Sequence, residues 1–266
     1  MSATLGGLIK DYRIQRGIQQ LEIAYKIGWK DATILSRIEQ GVTKTPSRQV
    51  IDKICAAMEL EEEEKNNLLY VGGYIPTDIE VEEMRKKMTP IINEFKYPVL
   101  MEDFTWRCLY TNEAGRYFEY KNEEEENFIL THKPNAIEYN LQEDYFKSKF
   151  PSIITEEDKK EFFIGITAQF LNEQRHRTNQ KWYMDLMKRL MENPYFRMIY
   201  KEAVKIPSST LVLDITKQTV THRKKPDIVL SFFMFSVPIL SDKRFFLEYH
   251  VPADTETFNY YEKDNH

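Results

Sequence analysis

Gly17-Ile-Gln-Gln-Leu-Glu-Ile-Ala24, then Gly28, then Leu35-Ser-Arg-Ile-Glu-Gln-Gly41 is the stretch on which the reading of this chain turns. Leu21, Ile23, Ala24 and Ile27 recur at helical spacing and stop at Gly28. A residue as small as Ala24 lets two helices cross closely, and Gly28 permits a left-handed turn between them. Asp31 is a good N-cap for a following helix, 32–40, which Gly41 closes. Upstream, Leu5, Leu8, Ile9 and Tyr12 predict a helix ending at Gly17. Downstream, Thr45-Pro46-Ser47 opens a helix with Val50, Ile51, Ile54, Ala57 and Met58 on one face. Glu61 to Glu64 open a fifth, which carries Leu68 and Leu69 and ends at Gly72-Gly73. Residues 1–75 therefore read as an all-α head, and Gly72-Gly73-Tyr-Ile-Pro76 as its boundary.

Charge separates this head from the rest. Residues 1–60 hold nine Lys/Arg against six Asp/Glu, a net of +3, and the remainder holds 28 against 36, a net of −8. A basic head on an acidic body suits a polyanion partner, because phosphate neutralisation dominates nucleic-acid affinity. The 266 residues are 42% hydrophobic and 30% charged, as in soluble globular proteins. No apolar run approaches the ~18–20 residues that span a bilayer, so no membrane partner is expected. The N-terminal stretch is broken by Lys10, Asp11, Arg13 and Arg16 and does not read as a signal peptide. Two cysteines, Cys55 and Cys108, without a CxxC exclude a disulfide scaffold and a cysteine zinc site. A cytoplasmic location is expected.

The Gln-x-x-x-Ala and Ser-Arg-Ile-Glu-x-Gly elements together resemble the XRE-type (lambdoid repressor-like) helix-turn-helix family over about residues 5–70. The resemblance implies that the third helix lies in the major groove of double-stranded DNA. It puts Gln20 at the start of the second helix against a phosphate. It puts Ala32, Thr33 and Arg37 on the reading face, with Ile34 and Ile38 beneath, and Lys44 against backbone phosphate. Gly28-Trp29-Lys30-Asp31 is one residue longer than the usual turn, which moves Trp29 or Lys30 toward DNA. Arg37 reads as a base contact or a phosphate clamp, and Glu39 as a structural residue bonding near its own helix end. The competing reading is a five-helix interaction domain that never meets DNA.

After a connecting helical segment, 76–97, the grammar changes. Thr89-Pro90 inside that segment predicts a kink or restart. Val99–Met101 and Thr105–Tyr110 predict strands, and Asn112 caps a short helix. Glu123–Glu126 reads as a solvated loop or helix edge. Long helices are expected from Thr155 to about Arg175, from Asn179 to Met191, and from Asn193-Pro194 to Val204. Thr210–Ile215, Thr219–His222 after a Lys217-Gln218 turn, Asp227–Val237 and Arg244–His250 predict strands. The fold class is thus two domains: the all-α head, then an α+β domain, 98–266, with an antiparallel sheet packed by helices. Its order is compatible with a PAS-like fold. The opening Tyr97-Pro98 to Asn112-Glu113-Ala114 and the segment Met187–Ala203 resemble the MmyB-like ligand-binding domain. That resemblance implies a regulator whose PAS-like domain binds a small apolar ligand.

Aromatics and methionines suit an adaptable apolar cavity. One is expected between the helix bearing Phe163, Ile166 and Phe170 and the strand bearing Phe232, Phe233 and Met234. A plain filled core would show the same pattern. Arg107, Arg197 and His250 are candidates to orient a ligand head, and Arg175-His176-Arg177 reads as a solvated helix end in preference to an anion grip. No nucleophile elbow, zinc-protease, P-loop or dinucleotide motif is present, and the five histidines have no metal-ligand spacing. No metal, cofactor or catalytic residue is expected. The sequence reads as a DNA-binding transcription regulator, dimeric on a two-fold operator, with a ligand-sensing body. A body that only dimerises, or an enzyme with an autoregulatory DNA-binding head, remain as alternatives.

Overall fold

Thr4 accepts a hydrogen bond from the Gly7 amide and starts α1, Leu5–Gln15. There follow α2, Gln20–Ile27; α3, Thr33–Glu39; α4, Arg48–Ala57, capped by Ser47; and α5, Glu62–Val71. The computed structural model describes residues 4–150, 155–207 and 216–263. Gly28 closes α2 at φ 86°, the left-handed value expected of it. Leu8, Ile9, Ile23, Leu35, Ile51 and Leu68 are buried in one core. Ala24 is fully buried, and at Gly6 a Cβ would meet the Ile38 carbonyl oxygen at 2.1 Å. Gly6 therefore sets how closely α1 approaches α3.

Packing divides the chain into Met1–Ile75 with Ile239–Arg244, and Pro76–Pro238 with Phe245–His266. The inserted segment completes the first unit from a distant part of the sequence. Asn66 on α5 donates to the Ser241 carbonyl at 3.1 Å and accepts from Arg244 Nη2 at 3.3 Å. Arg244 is buried and donates to both Asp242 oxygens, at 3.0 and 2.8 Å.

The second unit begins with α6, Asp78–Ile92, capped by a reciprocal Thr77–Glu80 box. Pro90, expected to kink or restart this segment, lies inside one continuous helix. It removes a single donor near the helix end, and the ladder resumes with Asn93 N–H on the Thr89 carbonyl at 3.0 Å. The chain continues through β1, Val99–Asp103; β2, Cys108–Thr111; α7, Glu113–Glu119; α8, Glu123–His132; α9, Ala136–Asn140; and α10, Glu143–Lys149. Next come α11, Glu156–Glu173; α12, Lys181–Glu192; α13, Pro194–Ala203; β3, Thr216–Thr221; β4, Val229–Pro238; β5, Phe245–Pro252; and α14, Thr255–Glu262. The acidic run Glu123–Glu126 forms the first turn of α8, where it complements the helix dipole. Lys217 and Gln218, expected as a turn, lie in β3 opposite Phe233 and Phe232. The strand expected at 210–215 lies outside the described residues.

The strands form one antiparallel sheet among the described residues, in the order β2-β1-β5-β4-β3. One face is covered by Phe118, Phe146, Phe163, Ile199 and Tyr261 from five helices, packed on Val220, Leu230 and Phe232. On the other face α6 covers β1 and β2: Val81, Met84, Met88 and Ile92 are buried, as are Met101 and Leu109. Asn112 ties this arrangement together. Its Oδ1 accepts from Val99 N and Gly115 N at 3.1 and 3.0 Å, and its amide donates to the Phe95 and Tyr97 carbonyls at 3.1 and 2.8 Å.

Candidate nucleic-acid interface

The helix α3 divides its residues sharply. Leu35, Ile38 and Glu39 point inward, while Thr33, Ile34 and Arg37 are exposed. Ile34 was expected beneath the reading face and instead lies on it, 46% exposed. The inward stripe at 35, 38 and 39 leaves position 34 turned to solvent. Asp31 Oδ1 accepts from the Thr33 amide at 2.8 Å, which fixes the start of α3, with the half-buried Ala32 at its N-cap.

Glu39 decides the sign of this surface. Its carboxylate accepts from Arg13 Nε and Nη2 at 2.7 and 2.9 Å and from Gln20 Nε2 at 2.7 Å. Its side chain is 2% exposed. The bond to Glu39 raises the pKa of the Arg13 guanidinium. The acid of α3 is thereby turned inward and neutralised, not bonded near its own helix end. Gln20 is tied by its amide to Glu39, so the expected phosphate contact through that group competes with an internal bond. Its backbone N–H, in the first turn of α2, is one of the donors a helix leaves unpaired.

Around α3 three basic side chains stand exposed, beside the one exposed acid Asp31 that bonds the Thr33 amide. Lys30, Arg37 and Lys44 are exposed and make no ion pair or hydrogen bond by their side chains among the described residues. By contrast Arg16 pairs with Glu64, and Arg48 with Asp52 at 3.1 Å. Trp29 is half-buried and packs on the core of the first unit, while Lys30 faces solvent. The longer turn thus presents the lysine and keeps the indole inside. Tyr25, 62% exposed on α2, was not expected as a surface aromatic. Its place two residues beyond the buried Ile23 was the available signal.

Residues 9–65 match the Helix-turn-helix family. The helix-turn-helix match covers α2 and α3 with their supporting helices and supports a DNA-binding transcription regulator. A comparison with curated proteins found no match.

The residues expected to line an apolar cavity do not come together around one. Phe163 is fully buried among Phe146, Phe162 and Tyr195, with ring centroids 5.1, 5.5 and 5.8 Å away. Phe170 belongs to another cluster, against Trp106 and Tyr183, and the half-buried Ile166 touches both. Phe232 is fully buried against Phe118 and Tyr261, whereas Phe233 projects from the opposite sheet face and Met234 is half-buried. Rings fill the space between α11 and the sheet. Arg107 is bound to Asp103 Oδ2 at 2.6 Å and to the Pro76 carbonyl at 3.0 Å. Arg197 is exposed and donates to the Met191 and Glu192 carbonyls at 2.7 and 3.2 Å. Neither arginine faces that interior.

A polar cluster lies elsewhere in the second unit. Lys149 Nζ donates to both Glu119 oxygens at 2.7 Å, and Tyr145 Oη donates to Glu119 at 3.0 Å. Burial works to raise the Glu119 pKa, but Lys149 overrides it and holds the carboxyl below its ordinary value. Burial pushes Glu248 up to about 7, raises Glu102, and pushes His250 down to about 4. The void bounded by Glu102, Cys108, Glu119, Tyr120, Tyr139 and Tyr145 has room for about one water. Among the described residues no group of His, Cys, Asp and Glu is arranged to hold a metal, and no helix is long and apolar enough to cross a membrane.

Proposed function

We propose that the chain is a sequence-specific transcription regulator that binds a two-fold operator as a homodimer, with α3 in the major groove. One observation carries this reading: α3 presents Thr33, Ile34 and Arg37 to solvent between the unpaired Lys30 and Lys44, while its own acid is buried against Arg13. Arg37 reaches a base edge, and Lys30 and Lys44 take backbone phosphates on either side. The α2 N-terminus, through the Gln20 N–H, takes a third phosphate. One short helix contacts too few base pairs for selective binding, so two copies read two half-sites.

In the same reading the second unit is the PAS-like sensing and dimerisation body. Its two strands, run of helices and three further strands support the fold part of that assignment. The sensing part rests on the likeness of 97–114 and 187–203 to the MmyB-like domain, and an apolar ligand would have to open the ring-filled α11–sheet interface. A ligand that prefers that opened state shifts the population of the body. The non-enzymatic reading rests on the lack of a catalytic motif in the sequence.

Selection from a pool of random duplexes, followed by binding titrations, tests the DNA reading. Enrichment of a two-fold site with half-sites about 10 bp apart, or a multiple, is expected. Arg37→Ala should cost roughly 1–3 kcal/mol on that site and relax one base position. Lys44→Ala should weaken all duplexes alike and reduce the salt slope by about one. No enriched sequence, with Arg37→Ala binding unchanged, would overturn the assignment.

A further inference from the structure

The sheet of the second unit has one covered face and one half-open face. α6 lies across β1 and β2 on the latter and leaves β4 and the adjoining part of β5 uncovered. The strip is made of the exposed pair Phe233–Val251 and the exposed Val237, with the half-buried pair Phe235–Tyr249 between them. Phe233 and Val251 are 41% exposed and Val237 is 44% exposed, while Phe232, one residue away, is fully buried on the other face. The strip continues onto the helix. Phe235 stacks on Tyr249 at 5.6 Å, and Tyr249 meets Phe95, just past α6, edge-on at 5.2 Å. Such a strip exposes on the order of a few hundred Å² of contiguous apolar surface, the size at which patches on soluble proteins mark interaction sites.

We propose that this face is the seat of a second copy of the chain, packed face to face about a two-fold axis over β4 and β5. The proposal rests on the two-copy reading of DNA binding given above and supplies its interface. Three features select a second copy. A two-fold operator requires one. An isologous interface needs a self-complementary patch, and a row of like-sized apolar side chains on two antiparallel strands is one. The charges at the two ends of the strip are opposite: Lys217 on β3 shares the face of its pair Phe233, and the exposed Glu94 precedes Phe95 at the far side. A two-fold axis between them sets Lys217 of each copy toward Glu94 of the other. The apolar strip is the right size for the dry centre of a standard interface, about 800 Å² per partner, with the charges on its rim.

Sedimentation equilibrium of the full chain across roughly 0.1–50 µM, with a thermal melt of each variant, tests this. The wild-type chain is expected to be dimeric. Phe233→Glu should melt as the wild type does and raise the dimer dissociation constant by about 30-fold or more, the loss of one central anchor. Lys217→Glu should weaken the dimer, and Lys217→Glu with Glu94→Lys should restore it; both residues are exposed, so this arm survives if Phe233→Glu fails to fold. A wild-type dimer unchanged by Phe233→Glu and by the charge reversal removes this face and leaves the two-copy reading standing. A wild-type chain that stays monomeric at 50 µM, free and on its selected DNA, removes both.

Discussion

Substituting Glu39 with Ala separates what holds α3 from what α3 touches. The carboxylate is 2% exposed and its partner Arg13 is 14% exposed. Two guanidinium bonds and one amide bond end on it. Removing one member of a buried pair costs about 3–5 kcal/mol, because the other charge stays behind unpaired. Arg13 keeps its bond to the Ile18 carbonyl at 3.0 Å and a little solvent, so the low end applies, about 3 kcal/mol. For a unit of this size each kcal/mol lowers Tm by about 4–8 °C. Glu39→Ala is therefore expected to lower the melting temperature of the first unit by roughly 12–24 °C. Differential scanning calorimetry of the full chain reads this as a shift of one transition.

A double replacement by apolar residues completes the test. Arg13→Met removes the stranded charge, so Arg13→Met with Glu39→Leu should be more stable than Glu39→Ala alone, since an apolar pair of similar volume replaces a buried ion pair at little cost. A Glu39→Ala protein within about 0.5 kcal/mol of wild type, the range of an ordinary surface substitution, would refute the argument that this carboxylate fixes α3.

Arg244→Met removes the cation from Asp242 and Asn66 in the first unit and should destabilise that unit by about 3–5 kcal/mol, measured by urea midpoint; a change confined to a few tenths would show that 239–244 is not part of its core. Glu248→Gln should stabilise the chain in a pH-dependent way. Burial lifts the folded pKa from 4.5 to about 7, so the unfolded chain ionises first and this carboxyl's contribution is lost as pH rises from 4.5 to 7. The gain from Gln should be near zero below pH 4.5 and about 2 kcal/mol above pH 7, discounted because the side chain is 22% exposed. His250 acts in the other direction: burial holds its folded pKa at about 4, so stability is lost as pH falls from 6.5 to 4. The difference between wild type and Glu248→Gln melts across pH 4–8 isolates the carboxyl, and a pH-independent difference would deny it this role.

The head was legible because its signals are local. Gly28, Ser47 and the stripe Leu35, Ile38 act within a turn or two of helix, and the structure uses them as turn, cap and core, while Asp31, expected as the N-cap, bonds the Thr33 amide from one residue before the N-cap Ala32. Long-range pairing was not legible. Nothing near Glu39 in sequence announces Arg13 and Gln20, 26 and 19 residues away. Nothing in Asp242 or Arg244 announces Asn66, 178 residues from Arg244. The helices α9, α10 and α14, at five, seven and eight residues, are as short as α2 and α3 but lack the glycine that follows each of those two and marks its end.

The apolar run Phe232-Phe233-Met234-Phe235 shows the limit most clearly. A continuous apolar run in sequence fits a strand buried on both faces, and a helix segment equally well. Read as a strand, the run still offered Phe232 and Phe233 together to one cavity, which treats both faces as one. Once the run is β4, alternation forces them apart. Phe232 goes to the ring-filled helix side and Phe233 to the side that α6 leaves open. Its apolar surplus is therefore divided between a filled core and an uncovered face. A sequence retains aromatic surface there, against the solubility cost of exposing it, when something covers it in the working assembly.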